Sequence, residues 1–538
     1  MNLPPSDPDA QPKPYQVLDY SWDTLVGLFA NAPPNSEKWD YVSDKRQILY
    51  IDRYLRDLKV QCLVFERRYT DKFYSDDYNG YYVRCFNRYE KTCSRIHAFV
   101  SPFDEKRVAD IFKPGSKTDL QSLGYRGFIV VKPLPETVVG RTCLSPPSRF
   151  AKPAPGYFIS GLETKPNLFG ADLSVNSLPC QEQDHEVAAC ATTAVWSVLQ
   201  GTSELFSNPI MMPLEITRLG NEKSGHQRTV FPNDGLAMSQ ICDVVRGVGL
   251  EPVVSVPLTK KLFAAEANAY LRAGIPLIFG LDLNTAPKSH PTPRELHAVA
   301  LSGVGEPTGD IELLAGDGTQ SLNFRLRGTR IDEVFAHDDG VGPYAPIDLS
   351  SEDELITTSW LDRNGYRRKA EPLELLIPLH RQIRVRFHDI LRGIAKFDCL
   401  MKDTDRSLGL EIFKEFEWDI VLSTPRRFKR EIAAADIFSD KVRSELLTAG
   451  FPRFMWKVVA YNKNKMSAIF LFDATDLRQG AHLIDIFYAD DNARFVLNSY
   501  VLGLQRLGKM KAPRITKSIL RYLQTQAHAA IDSEAAAS

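Results

Sequence analysis

The chain has 538 residues, of which 43% are hydrophobic and 25% are charged, and its formal net charge is −1. This length and composition are typical of a globular protein with roughly two to four domains. A chain so close to neutrality has no overall field that attracts nucleic acid or an anionic membrane, so neither is expected as a partner. The eight cysteines are scattered without a tight spacing pattern. This indicates a reducing compartment and a cytoplasmic location, not a disulfide framework.

The sequence predicts neither a signal peptide nor a membrane-spanning helix. Residues 1–14 are rich in proline and lack a positively charged stretch followed by an apolar one, which indicates a disordered lead. No apolar run approaches the ~18 residues that a membrane-spanning helix needs. Residues 526–538 are predicted to be a disordered tail.

Residues 15–145 are predicted to form an N-terminal α+β domain. The pattern favours a helix over Arg46–Leu58 and a strand at Gly127–Pro135, and Asn79-Gly80 is a hairpin signal between aromatic-rich flanks. Those aromatic residues interleave with Arg and Lys, as in proteins that stack nucleic-acid bases. Aromatic residues on paired strands more commonly pack against each other, and we favour that interpretation.

A proline-rich linker, residues 146–165, precedes a second unit that spans 166–346. Cys190 opens a helical stripe in this unit, since apolar residues follow it at helical spacing: Ala191, Ala194, Val195, Val198 and Leu199. Unpaired N–H groups and the macrodipole at a helix N-terminus stabilise a thiolate, so Cys190 is a candidate nucleophile. The alternative is a cysteine that is simply buried in a core.

Candidate partners for Cys190 lie upstream and downstream of it. His297 stands at the start of an apolar strand, where it can act as general base and then as general acid. Gln183 or Gln181 can donate to an oxyanion beside the Cys190 N–H. Asp317 and Asp338 compete for the role of orienting His297, Asp317 because the strand before it is expected to adjoin the His297 strand. The pattern does not separate the two, and each is also an ordinary turn residue.

These residues occur in one order along the chain: Gln183, Cys190, Gly274-Ile275-Pro276, His297, and Asp317 or Asp338. The unit thereby resembles the papain-like cysteine peptidase superfamily, and within it the bacterial peptidases that cleave double-glycine leaders. The resemblance implies a Cys–His–Asp thiol site with Gln183 in the oxyanion hole. The leader peptidases have Gly and Asp at the positions of Ala191 and Ala189, and a Gln-to-Cys interval that is one residue shorter.

Residues 347–525 are predicted to form a C-terminal α+β domain with antiparallel strands. Apolar runs indicate strands at 373–379 and 482–488, and a hairpin between them over 454–472. Basic runs at 426–430 and 509–517 are typical of solvated helix faces.

The sequence therefore predicts an α+β protein with a central papain-like domain between two α+β domains. The predicted function is an intracellular cysteine peptidase that acts on a protein or peptide and is regulated by its flanking domains or by a protein partner. One alternative is a transglutaminase-like amide or acyl transferase on the same site, and the other is an inactive papain-like scaffold in a binding protein. The chain has no phosphate-loop, dinucleotide, zinc-peptidase or nucleophile-elbow motif, so no cofactor or metal is expected.

Overall fold

The computed structural model of the chain describes residues 13–537 except 148–157, 160, 185, 188, 223–234, 258, 285–293, 310, 312, 315–323, 436–438, 476–481, 490 and 503–511. Helices and strands both make up a large share of these residues, so the predicted α+β class is confirmed. No helix in the described residues combines the length and the apolar character that crossing a membrane requires.

An antiparallel five-stranded sheet organises the N-terminal part, in the order β1-β2-β3-β4-β5. Alternate residues of β2 point to opposite faces. Leu63 and Phe65 pack against the helices α1 to α3, whereas Cys62 and Val64 face α4 and the chain around residues 168–187. Both faces of this sheet are therefore covered. The elements are β1 (Tyr15–Asp19), α1 (Trp22–Ala30), α2 (Glu37–Ser43), α3 (Arg46–Asp57), β2 (Cys62–Tyr69), α4 (Lys72–Gly80), β3 (Cys93–Phe99), α5 (Glu105–Ala109), β4 (Tyr125–Val131) and β5 (Val139–Leu144).

The hairpin predicted at Asn79-Gly80 is wrong, because these residues end the helix α4. Asp71 caps this helix by accepting from the backbone N–H groups of Phe73 and Tyr74. Phe73 and Tyr74 are buried, and Tyr74 stacks on Tyr82. The helix cap and the burial of the aromatic face outweigh the turn preference of the dipeptide. Five of the aromatic residues pack against each other as expected, although not on paired strands: Tyr74, Tyr78, Tyr81, Tyr82 and Tyr89. Phe86 is exposed.

The central part holds a closed antiparallel barrel of six strands. Each of β12, β13, β16, β17, β18 and β19 pairs with the next, and β19 pairs back to β12. Outside this ring, β11 extends the sheet along β19, and β6 pairs with β13. The helix α6, which begins at Cys190, packs on β12, β13 and β16. The break predicted at Gly274-Ile275-Pro276 is confirmed, since it separates α9 from β12.

The elements of this part are β6 (Phe158–Ile159), β7 (Leu162–Thr164), β8 (Asn167–Leu168), β9 (Ala171–Asp172), β10 (Val175–Ser177), α6 (Cys190–Phe206), α7 (Pro213–Glu222), α8 (Met238–Gly247), β11 (Leu250–Ser255), α9 (Lys260–Leu271), β12 (Leu277–Asp282), β13 (Leu296–Val304), β14 (Leu313–Leu314), β15 (Phe324–Arg325), β16 (Glu333–Asp338), β17 (Gly342–Asp348), β18 (Ile356–Leu361) and β19 (Arg367–His380).

Two of the predicted boundaries differ from this architecture. The barrel continues to residue 380, because β18 and β19 close it, so residue 346 lies inside a strand of the central part. The predicted linker 146–165 contains β6 and β7. The sequence places the end of the central domain at Pro346, before the acidic residues 351–354. In the structure Pro346 lies in β17, and the acidic residues lie in the loop that follows this strand.

The described residues of the C-terminal part form an antiparallel sheet in the order β20-β21-β22-β23, together with five helices. Lys463 and Asn464 form the predicted hairpin turn in left-handed conformations. The tail predicted to be disordered from residue 526 is helical as far as Ala537. The elements are α10 (Phe387–Leu408), β20 (Phe416–Ser423), α11 (Pro425–Ala434), α12 (Asp440–Thr448), β21 (Met455–Asn462), β22 (Lys465–Asp473), β23 (Leu483–Tyr488), α13 (Asp491–Leu502) and α14 (Arg514–Ala537).

The three parts share packed interfaces. Tyr270 of α9 meets Trp456 of β21 edge-on at 5.5 Å, inside one hydrophobic core that is continuous from the barrel into the C-terminal sheet. Trp196 of α6 meets Phe73 of α4 edge-on at 5.1 Å. The helix that begins at Cys190 is therefore enclosed between the barrel and the N-terminal part.

Candidate active site

Cys190 is the first residue of α6, as the sequence predicts, and it is half-buried. The residue before it, Ala189, has an extended backbone and no side chain that could cap the helix. Ala189 therefore supplies no cap for the N–H groups of the first turn. A thiol at such a position lies beside backbone hydrogen-bond donors and the positive end of the helix dipole.

His297 and Asp338 lie on neighbouring antiparallel strands at the same edge of the barrel. The register pairs Ala300 with His337, which puts Asp338 opposite Val299 and on the same face as His297. The distance between His297 Nε2 and Asp338 Oδ1 is 3.0 Å. Both side chains are buried, with 5% and 8% of their surface exposed. The structure thus brings together two of the predicted site residues.

Asp317, the alternative partner of His297, lies outside the described residues. The strand that precedes it, β14, pairs with β15. The two ladder neighbours of β13 around His297 and Ala300 are β12 and β16. The expectation that β14 adjoins the His297 strand is therefore wrong, and Asp338 is the acidic residue placed to orient the imidazole.

Three groups hold the Asp338 carboxylate. Besides the His297 imidazole, the indole Nε1 of Trp360 donates to Oδ2 at 2.8 Å and the Gly340 N–H donates to Oδ1 at 2.9 Å. Trp360 also meets the His297 ring edge-on at 5.0 Å. A Cβ on residue 340 would lie 2.3 Å from the indole ring, so glycine is needed for this close approach. Trp360 and Gly340 are functional candidates that the sequence did not indicate.

The charged residues around His297 favour its protonated form, the imidazolium. Burial by itself lowers the pKa of His297, but the Asp338 carboxylate opposes it, and with the Cys190 thiol and Asp339 the pKa is raised well above 6.5. Burial by itself raises the pKa of Asp338, but the charge of His297 and the hydrogen bonds from His297, Trp360 and Gly340 bring that pKa below its ordinary value. At neutral pH these two residues therefore form a buried ion pair.

The Cys190 thiol lies close enough to the His297 side chain to contribute to the raised pKa of the histidine. Because Nε2 faces Asp338, Nδ1 is the ring nitrogen that remains for the thiol. Cysteine, histidine and aspartate are thereby aligned in the order thiol, imidazole, carboxylate. This is the arrangement that activates a thiol for nucleophilic attack.

Asp339 is a buried carboxylate that sequence reasoning missed. Its Oδ1 lies 3.7 Å from His297 Nε2, and neither of its carboxylate oxygens has a hydrogen-bond partner in the described part of the chain. Burial raises the pKa of Asp339 to about 7, and the neighbouring Asp338 adds to this effect. His297, Asp338 and Asp339 offer ligand atoms within 4.8 Å of one another, close enough for a cation. Since His297 and Asp338 already satisfy each other, we interpret the cluster as a His–Asp pair.

The N-terminal part reaches into the site through α3. The Arg46 guanidinium stacks on Trp360 at 4.3 Å from the ring centroid. Gln47 donates to the backbone oxygen of Asp339 at 3.2 Å, and Tyr50 donates to the Pro343 carbonyl at 3.0 Å. These contacts support the turn that carries Asp338. They join residues almost 300 positions apart, so no local spacing could have revealed them.

The segment that leads to Cys190 is also held by the N-terminal part. Cys180 and Thr142 of β5 exchange two backbone hydrogen bonds, and the Glu182 carboxylate accepts from the Val139 N–H. The Tyr82 hydroxyl donates to Asp184. This segment therefore lies along the edge of the N-terminal sheet.

Gln183, the predicted oxyanion donor, is half-buried within the segment, and its alternative Gln181 is buried. Neither side chain hydrogen-bonds to another residue in the portion of the chain that is described. The structure does not assign either glutamine to the oxyanion hole.

No protein-family model and no curated protein matches this chain. The chemistry of the site rests on its geometry.

Proposed function

We propose that this protein is a papain-like thiol peptidase in which Cys190 is the nucleophile, His297 the general base and acid, and Asp338 the residue that orients and charges His297. The observation that carries the proposal is that a half-buried thiol at a helix N-terminus lies beside a buried His–Asp pair. Within this pair, His297 Nε2 lies 3.0 Å from Asp338 Oδ1. The barrel supplies the histidine and the helix packed on it supplies the cysteine. Proteins or peptides are the substrates, and the chain acts in a reducing compartment such as the cytoplasm.

In this mechanism the proton of the Cys190 thiol has passed to His297 Nδ1, giving the imidazolium, and the Cys190 thiolate attacks the carbonyl carbon of the scissile peptide bond. The tetrahedral oxyanion is held by N–H groups of the first turn of α6, with Gln183 as a further donor. The imidazolium then protonates the leaving amine as the C–N bond breaks. Water, deprotonated by His297, hydrolyses the thioester and regenerates the thiol.

The N-terminal part positions both halves of this machinery. It holds the chain before Cys190 through β5 and the turn after Asp338 through α3. Regulation by a protein partner would act through these contacts.

The test is alkylation of the purified full chain with a peptide-like, thiol-directed electrophile, followed by mass spectrometry to locate the adduct. Cys85 and Cys399 are internal controls, because both are also half-buried and burial raises the pKa of each thiol. We expect Cys190 to react at least tenfold faster than either at pH 6 to 7, and His297→Ala to abolish the difference. Equal rates at the three cysteines would refute the proposal and favour an inactive scaffold. With a turned-over peptide and an added amine, an amide product instead of an acid would indicate acyl transfer.

A further inference from the structure

A basic groove lies on the N-terminal part, away from the Cys190 site. It has a volume of about 1160 Å³ and lies between the end of α1, the end of β2, the loop before β3 and the segment after β4. Among the described residues, six cationic side chains and one carboxylate, that of Glu90, line it. The six are Lys38, Arg67, Arg68, Arg88, Lys91 and Lys132.

None of these six cations forms an ion pair with a residue that the structure describes. The Nε of Arg67 is buried and has no hydrogen-bond acceptor among the described residues. Lys132 is only 7% exposed, and among the described residues its ammonium group has one hydrogen bond, of 3.4 Å to the Glu182 carbonyl. The charge of Lys132 also acts on the buried carboxyl of Asp77, where it opposes the effect of burial on the pKa. A buried cationic donor that lacks an acceptor raises the free energy of the folded protein unless a bound anion accepts its hydrogen bond.

The composition of the walls indicates the class of anion. Three arginines offer planar pairs of donors, which match the oxygens of phosphate groups. Tyr89, Phe65 and Leu134 line the same groove and add an apolar surface. Pockets for small organic molecules typically measure about 300–1,000 Å³, so this groove accommodates a ligand larger than a single phosphate.

We propose that the basic groove binds a small molecule that carries two or more phosphate groups and an aromatic part, the class to which nucleoside triphosphates belong. The cations come from separate segments, α2, β2, the loop before β3 and the segment after β4, which explains why the sequence contains no linear phosphate-binding motif. Lys132 also contacts the segment that leads to Cys190, so the groove adjoins the active-site support.

The test is binding of the full chain, measured by isothermal titration calorimetry, to each of the four common nucleoside triphosphates. Inorganic triphosphate, an oligo-glutamate peptide and a single-stranded oligonucleotide are the comparison probes. The double variant Arg68→Glu/Arg88→Glu reverses two exposed groove cations, and the matched control Arg107→Glu/Lys117→Glu reverses two exposed cations of the same domain outside the groove.

We expect one nucleoside triphosphate to bind saturably at one site, more tightly than inorganic triphosphate. The groove variant should weaken it at least tenfold and the control should change it less than twofold. Equal weakening in both variants, or no saturable binding in the panel, would overturn the proposal. Tighter binding of the oligonucleotide or of the acidic peptide would overturn it in favour of that macromolecule. This experiment does not depend on Cys190 activity, so its outcome is separate from that of the peptidase proposal.

Discussion

The substitution Asp338→Asn tests whether the buried carboxylate sets the reactivity of Cys190. Asparagine has the same shape as aspartate and can still accept from His297, but it removes the negative charge that lies 3.0 Å from Nε2. Its amide NH₂ cannot also accept the hydrogen bond that Trp360 donates to Asp338. The change therefore removes charge stabilisation from the imidazolium and leaves the ring near its place.

The size of the effect follows from the charge separation. Two unit charges about 4 Å apart at an effective dielectric constant of about 20 interact with about 4 kcal/mol. Since each pKa unit corresponds to about 1.4 kcal/mol, we expect the pKa of His297 to fall by roughly two to three units. The population of the imidazolium at neutral pH would then fall, and with it the charged partner that activates Cys190.

The measurement is the rate of Cys190 alkylation between pH 5 and 9 relative to that of Cys399 in the same molecule. We expect the variant to react roughly 100-fold more slowly than the wild type at pH 7, in line with the pKa change. The control is Asp332→Asn, which breaks a different ion pair of the central part, 2.9 Å from Lys261. If Asp338→Asn and the control have the same pH profile as the wild type, Asp338 does not charge His297 and the reasoning is refuted.

Three further substitutions test the surroundings of the site. Trp360→Phe removes the indole N–H that donates a hydrogen bond to Asp338. Because a hydrogen bond to a charged group contributes roughly 1.5–3 kcal/mol, alkylation of Cys190 at pH 7 should slow about tenfold. An unchanged rate would contradict this role of Trp360. Arg46→Ala removes the cation over Trp360 and should slow the same alkylation a few-fold, whereas Arg53→Ala, on the exposed side of the same helix, should not. Asp339→Asn should stabilise the protein increasingly as pH rises. The pKa of Asp339 is about 7 in the folded protein against 3.8 for an ordinary aspartate, so the folding stability of the wild type falls relative to that of the variant as pH rises between these values. Urea unfolding should show a relative loss of roughly 3 kcal/mol between pH 5 and 8. Stability profiles that run parallel in the two proteins would contradict this prediction.

The local spacing of apolar residues was sufficient to predict the helix and the strands that carry Cys190 and His297. The apolar spacing after Cys190, the break at Gly274–Pro276 and the apolar run after His297 each predicted an element that the structure contains. These signals are local because helix and strand periodicity depends on neighbouring residues. The choice between Asp317 and Asp338 required the strand order, which is a long-range property.

The errors of sequence reasoning arise from long-range packing. Asn79-Gly80 is a turn signal that a helix cap and a buried aromatic face override. The boundary at residue 346 cut through the barrel, because the pairing of β19 with both β12 and β18 is invisible in the sequence. For the same reason Trp360 and Arg46 were not recognised, since their role exists only when three distant segments meet.

The site is built from segments that lie outside residues 166–346. A fragment of residues 166–346, the unit that the sequence suggests, lacks β18 and β19, so β12 and β17 would each lose a ladder partner and the barrel would be open at two edges. It would also lack Trp360, which holds Asp338, and β5, which pairs with the chain before Cys190. We therefore expect this fragment to show neither native circular dichroism nor preferential alkylation of Cys190, while the full chain shows both. A folded fragment with an equally reactive Cys190 would mean that the N-terminal part and the last two barrel strands do not position the catalytic groups.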